Sequence, residues 1–434
     1  MSAESEPTES VRPAIRFFGS YADILRVPGA VKFVVAGWFG RVSRSTAGIA
    51  TILLVAAHSG SFALAGAVSG AIIVGIAVGG PLWSRAVDAR GQRQVLPFSL
   101  VAAVVAAFVL AAAVVSAAPV WTWFAAAFLV GASSVDVGSL VRARWRSVLS
   151  DDAGRHTSLA LESVSDELVF VIGPPTVTIV AATAGAVTGF AAAAVVSIVG
   201  GFSLWVQRST TPPVVRQAQS SHDPSDAGGV DLGSTGARSR GSWRLPAGVL
   251  GLLPVFAGVG AVFAAIDLAA VGVAREAAQP WLAGATLAVF SVGSVVSAFA
   301  FGPLSALWAP TTRVFVTTIA YAVVVPSLLL VHDPGVLAGV VVVAGLVTTP
   351  VLISSTSLVA SRVEEGRLTE ALTWPSIGMA AGATIGGALT GIAIDQGSAL
   401  DAFRVAAVAA VAVGAFGVTR VVVDRRRPAP SRRV

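Results

Sequence analysis

The chain has 434 residues, 55% of them hydrophobic and only 12% charged, with a mean hydropathy of +0.81. That balance excludes an ordinary soluble globular protein and places the chain among multi-span membrane proteins, whose folding solvent is lipid. The formal net charge of +6 is almost wholly arginine, with Lys32 the sole lysine; with the abundance of Ala, Gly and Val it fits a GC-rich bacterial genome rather than a nucleic-acid ligand. Cysteine is absent, which removes disulfides, thiol nucleophiles and sulfur-based metal sites.

The N-terminal MSAESEPTES is polar and acidic, with no basic region ahead of a short apolar core, and is expected to be a cytosolic tail rather than a cleaved signal. Twelve apolar runs follow, each of about 20 residues or more, the length a helix needs to cross roughly 30 Å of hydrocarbon. These spans 1 to 12 are expected at 30–57, 61–84, 94–117, 120–144, 157–182, 186–207, 246–274, 280–304, 312–331, 335–360, 369–393 and 400–423. Lipid-facing backbone must satisfy its own hydrogen bonds, and nothing alternates as in a barrel, so the spans are helices. The segment from Arg208 to Arg244, rich in Ser, Gly, Asp and Arg, reads as a flexible linker between two sets of six. The expected organisation is an all-α membrane protein with a tail at 1–29, a six-helix bundle at 30–207, a linker at 208–245, a second bundle at 246–423 and a basic tail at 424–434.

Arginines orient these spans. Arg85, Arg90, Arg93, Arg142, Arg144, Arg146, Arg155, Arg313, Arg362 and Arg367 fall in the even-numbered loops, with further arginines in the linker and both tails, whereas the odd-numbered loops carry only Arg275 and Arg404. By the positive-inside rule the termini and linker are cytoplasmic, in a cytoplasmic (inner) membrane.

Charges inside the spans are costly and usually face a cavity or a partner. Span 1 holds Arg41 and Arg44 on one face, span 4 holds Asp136, and span 7 holds Asp267. The bland alternative pairs Arg41 with Asp136 and lets Asp267 reach water. At the start of span 5, ALESVSDELVFVIGPP carries Glu162, Asp166 and Glu167. Near a helix start, carboxylates meet the favourable end of its dipole. Glu162, Asp166 and Gly173 share a face, with Glu167 turned away by roughly 100° from Asp166. The small Gly173-Pro174 face suits close approach to the opposite half, which puts Glu162 and Asp166 on the moving interface with Arg142 and Arg144 as counter-ions. Span 10 adds the hydroxyls of Thr348 and Ser354 to Ser357, which serve packing or cargo alike. Span 11 opens TEALTWP, with Thr369 as a candidate N-cap, Glu370 in the first turn, Pro375 as a kink, and Trp374 as an interfacial anchor or a wall of the substrate path.

The two halves repeat a phrase. SLVRAR (Ser139 to Arg144) ends span 4 and SLVASR (Ser357 to Arg362) ends span 10; the loops after them, DDAGRHTS and EEGRLTEA, match in outline. This indicates a duplicated six-helix unit with a binding site between its copies.

The run SRAVDARGQRQVL between spans 2 and 3, with two sixes of helices and a basic central loop, resembles the major facilitator superfamily, whose motif there is roughly G-x-L-x-D-R-x-G-R-R. Asp88, Gly91 and Arg93 match its acid, glycine and last basic position; Ser84, Ala86, Ala89 and Gln92 depart from it. LVRARW, LESVSDELVFVIGPP and TEALTWPSIG resemble substrate-unassigned actinobacterial members. The resemblance implies a gate at Arg85, Asp88, Gly91 and Arg93 that engages the start of span 11, and a cavity lined by spans 1, 4, 7 and 10. Other signatures are worn: Ala127 stands where an arginine often precedes Gly131, Val169 stands where a helix-5 glycine would, and the loop between spans 8 and 9 keeps Arg313 without an acid.

No enzyme reading holds. His58, His156, His222 and His332 lie in loops, near helix ends or in the linker without metal spacing, and no phosphate-binding loop exists to drive transport with ATP. No cofactor or metal is expected. What remains is a secondary transporter taking a small molecule and protons, embedded in lipid as a monomer. The first reading is proton-coupled export of a partly apolar compound, favoured by Gly173-Pro174 and apolar walls. The second is uptake of a polar or anionic solute, with Arg41 and Arg44 binding a carboxylate; the third is a non-transporting scaffold or sensor. Asp267, with no basic neighbour in its own span, is the first choice for the proton carrier and Asp136 the second.

Overall fold

A computed structural model describes residues 21–213, 251–305, 308–331, 333–362 and 368–426. Most of the expected linker, both tail ends, the loop at 363–367, His222 and His332 lie outside the described residues. The described chain is all helix, and eleven segments, corresponding to spans 2 to 12, are long and apolar enough to cross a membrane. Span 1 is the exception; it is divided into Ala30–Gly40 and Val42–Ser59 at Arg41.

Spans 2 and 3 are Phe62–Arg90 and Gln92–Val115, hinged at Gly91, whose φ of 83° a side chain would resist. Span 4 is two helices, Val120–Ala132 and Val137–Val148. The carbonyls freed at its break are taken by neighbours: Trp83 Nε1 donates to Ala132 O at 2.8 Å and Ser99 Oγ to Ser133 O at 2.7 Å. That is how irregular backbone survives at membrane depth. Spans 5 and 6 are Asp152–Ala184 and Ala186–Val206.

In the second half, spans 7 and 8 are Leu253–Glu276 and Trp281–Ser305, and span 9 is Pro310–Ser327 with a terminal 3₁₀ turn, Leu328–Leu330. Span 10 is divided into Pro334–Val340 and Val342–Ala360, span 11 is Leu368–Gln396, and span 12 is Ala402–Arg426. Span 11 already begins at Leu368, so Thr369 sits inside the first turn instead of capping it.

Glycines set the closest approaches. On span 2, Gly75 and Gly79 lie against the span 4 backbone at Phe128 and Ala132, while Gly66 and Gly70 lie against span 11 at Gly387 and Thr384. A Cβ at these positions would collide with backbone or with Thr384, and such small-residue seams replace the hydrophobic drive that lipid cannot supply. Span 2 against span 11, and span 5 against span 8, therefore join the two halves. At the second junction Pro174 cannot bond the Phe170 carbonyl, and Ser291 of span 8 donates to that carbonyl instead at 3.3 Å.

Candidate functional site

The span 5 acids are gathered by arginines of their own half. Glu162 is 1% exposed in its side chain and pairs through Oε2 with Arg41 Nη2, whose side chain is 3% exposed; its Oε1 accepts from Trp145 Nε1 at 2.8 Å. Asp166 accepts from Arg41 Nη1 at 3.3 Å and from Arg142 Nη1 at 3.0 Å. Two guanidiniums and two carboxylates thus make a neutral cluster across spans 1, 4 and 5. Trp145 is fixed in turn by an edge-on contact with Phe33, ring centroids 4.7 Å apart. Mutual attraction of this kind is strong where water is excluded, and removal of one member exposes the desolvation cost of the others.

Several sequence expectations are revised by this geometry. Span 5 starts at Asp152, capped by Asp151 Oδ2 accepting from Gly154 N at 2.7 Å. Glu162 and Asp166 therefore lie beyond the first turn, where the dipole's influence fades, and the arginines account for them. Arg41 pairs with span 5, not with Asp136. Asp136 faces Arg44 at 3.7 Å, both about half-exposed, and it caps the second helix of span 4 by accepting from Gly138 N at 3.1 Å. Arg41 and Arg44, three residues apart, thus take different acids, Arg41 those of span 5 and Arg44 that of span 4. Arg144 joins no acid among the described residues: its guanidinium donates to Gln92 Oε1 at 3.0 Å, Gln207 O at 3.0 Å, Leu204 O at 2.8 Å and Thr210 Oγ1 at 3.3 Å. It closes the end of span 6 onto spans 3 and 4. Gly173 faces Ser45 and Thr46 of span 1 rather than the opposite half, while Pro175, two residues on, meets Gly284 of span 8.

The expected loop between spans 2 and 3 shrinks to Gly91, so Arg85 and Asp88 end span 2 and Arg93 begins span 3; all three are exposed, and Asp88 engages no partner among the described residues. Trp374 is half-buried and packs on the main apolar core. Glu370 lies in the first turn of span 11, its side chain outside the described residues. Of the span 10 hydroxyls, Thr348 donates back to Ala344 O at 2.7 Å, and Ser354 and Ser355 are fully buried without a hydrogen-bond partner among the described residues.

Asp267 stands apart. It is partly buried on span 7 and has no ion-pair or hydrogen-bond partner among the described residues. Val271 and Ala274, one and two turns further on the same helix face, line a cavity of about 380 Å³ between the halves, with Leu53, Phe62, Thr178 and Arg275. One turn earlier, Phe263 packs edge-on against Phe290 of span 8, centroids 5.5 Å apart. A carboxyl group without a charge partner on an otherwise apolar stretch of helix can bind a proton or a cation.

The sequence model of the Major Facilitator Superfamily matches residues 33–274. The chain belongs to that superfamily. A search of curated proteins gives no match. Among solved structures, the fold is similar to the nucleoside transporter NupG, with a TM-score of 0.67 and 11% identity over 91% of this chain and 99% of that one. The POT family transporter PepTSo gives 0.62 and 12% over 92% and 98%, and a peptide transporter POT in complex with sulfate gives 0.63 and 11% over 92% and 94%. At such identities the likeness shows the fold alone. Superfamily membership makes the chain a secondary transporter in type and a multi-pass membrane protein.

Proposed function

We propose that the protein exports a small, partly apolar compound in exchange for protons by alternating access, as a monomer in the cytoplasmic membrane with termini and linker in the cytoplasm. The observation that carries this reading is the contrast between the charges. Arg41 is held by two carboxylates and Arg142 by one, whereas Asp267 is left without a charge partner one turn from Val271, which lines the inter-half cavity. Arginines of spans 1 and 4 that carboxylates neutralise, with an acid left free on span 7, favour a proton or a cationic group over an anion, and Arg275 is the charged residue at the cavity wall itself. Carboxyls are the side chains suited to repeated protonation here, since no histidine lies within the described inner faces. Domain limits follow the expected bundles, 30–207 and 246–423, with Asp88 and its arginines as the gate on the arginine-rich face.

Everted membrane vesicles carrying an acid-inside gradient test this reading. Addition of lipophilic cations should release lumenal protons in the presence of the protein, and retention of the gradient across a broad panel of such compounds would contradict it. A second reading, uptake of an anion, is favoured by Arg44, whose 3.7 Å pair with Asp136 is loose and half-exposed. Gradient-driven accumulation of a carboxylate solute that is lost in Arg44→Ala is its signature.

A further inference from the structure

Asp395 lies one residue from the end of span 11, at the end of the helix remote from the arginine-rich face. A carboxylate there is on the wrong end of its own helix, where the partial charge is negative. Its partners are in the other half of the molecule. Oδ2 accepts from Ser61 Oγ at 2.7 Å and from Ala63 N at 2.9 Å, and Oδ1 accepts from Phe62 N at 2.8 Å. Ser61 is the N-cap of span 2, its Oγ also accepting from Leu64 N at 3.1 Å. Asp395 and Ser61 together satisfy the first three free N–H groups of span 2, so the positive end of span 2 is completed by an acid that span 11 supplies. Gly66 against Gly387 and Gly391 against Phe62 and Ala63 bring the two helices close enough for this. Arg275 of span 7 stacks over the Phe62 ring at 5.6 Å on the same side.

Span 2 carries the mirror image at its other end. Asp88 lies two residues from the end of span 2, ahead of Gly91, as Asp395 lies one residue from the end of span 11, ahead of Gly397. Asp88 too sits at the unfavourable end of its own helix, and it is exposed with no partner among the described residues.

We infer that Asp395 is the gate residue of the face remote from the arginines, and that it and Asp88 form a reciprocal pair, each capping the N-terminus of the other's helix in opposite conformations. The Asp88 half of the pair rests on the gate proposed above; the Asp395 half rests on the three bonds alone. Spans 2 and 11 run antiparallel along the seam between the halves, so each end offers one acid and one helix start. Closing one end opens the other and exchanges one capped N-terminus for the other. The balance between the two conformations is then set by the difference between two similar interactions, which keeps both accessible.

The test is conformational and needs no substrate. The chain has no native cysteine, so Ser116→Cys and Leu330→Cys, on opposite halves near the Asp395 face, take spin labels without background. Asp395→Asn keeps the side-chain shape and removes the charge. Charge-assisted bonds of this type are worth enough to shift the open-to-closed ratio at this face by about tenfold. Asp88→Asn should shift the ratio in the opposite sense, and the double variant should return towards the parent distribution. Ser61→Ala, which removes one of the three bonds to Asp395 together with the cap on Leu64 N and leaves the charge, should give a smaller shift in the Asp395→Asn direction and covers the case in which Asp395→Asn does not fold. Unchanged distances in both Asp395→Asn and Ser61→Ala would overturn the Asp395 gate. A shift in Asp395→Asn with none in Asp88→Asn would overturn only the reciprocal pairing.

Discussion

Replacement of Glu162 by Gln isolates the value of the buried cluster. The substitution preserves size and the acceptor for Trp145 Nε1 while removing the charge that faces Arg41, a guanidinium with 3% of its side chain exposed. Breaking a buried pair by removing one partner typically costs about 3–5 kcal/mol, mostly because the other charge stays behind. Asp166 remains at 3.3 Å from Arg41 and carries a share of that charge, so the expected loss is at the low end, about 3 kcal/mol. Removing both charges in Arg41→Met with Glu162→Leu eliminates the stranded guanidinium and should recover most of the loss, leaving Asp166 to Arg142 at 3.0 Å. Reversible unfolding in mixed micelles gives the free energies. A Glu162→Gln variant within about 0.5 kcal/mol of the parent, the range of an ordinary surface substitution, would refute the claim that this cluster is a dry electrostatic joint between spans 1, 4 and 5.

Trp145→Phe keeps the edge contact with Phe33 and loses one donor to Glu162, and should cost about 1–3 kcal/mol in the same assay. Asp136→Ala removes the cap of the second helix of span 4 and should cost about 1 kcal/mol, while Asp136→Asn, which still accepts from Gly138 N, should cost less. Gly75→Val places a branched side chain against the Phe128 carbonyl and should lower the melting temperature and the yield of folded protein, whereas Gly80→Ala, with open space around it, should be neutral within about 0.5 kcal/mol.

The fold was legible because it follows from bulk properties. Runs of apolar residues of membrane length, arginines concentrated in alternate loops and a polar middle segment point to the helices and their two sets without reference to any contact. Glu162 and Asp166 were likewise correctly placed on one face, since four residues bring a helix back to the same side. The pairing of Arg41 was not legible. Spacing puts Arg41 and Arg44 near one another, but nothing in GRVSRS says which acid each will meet, since span 5 and Asp136 are brought to them by tertiary packing. The interruption at Ser133 and Ser134 depends on Trp83 and Ser99 arriving from spans 2 and 3, which is tertiary information. One signal does lie in the sequence: Arg142 and Arg144 are two residues apart and so on nearly opposite faces, which keeps both from meeting the same acids. The same geometry puts Trp145, one turn after Arg142, beside Glu162.

The central claim is that the free carboxyl of Asp267 couples transport to protons, and flux in proteoliposomes with a compound identified by the vesicle screen tests it most directly. Wild-type protein should drive accumulation against a concentration gradient when a pH gradient is imposed, and should catalyse exchange of labelled for unlabelled compound without one. Asp267→Asn should keep the exchange and lose the gradient-driven accumulation. An Asp267→Asn variant whose accumulation responds to the pH gradient at the wild-type rate would contradict the account.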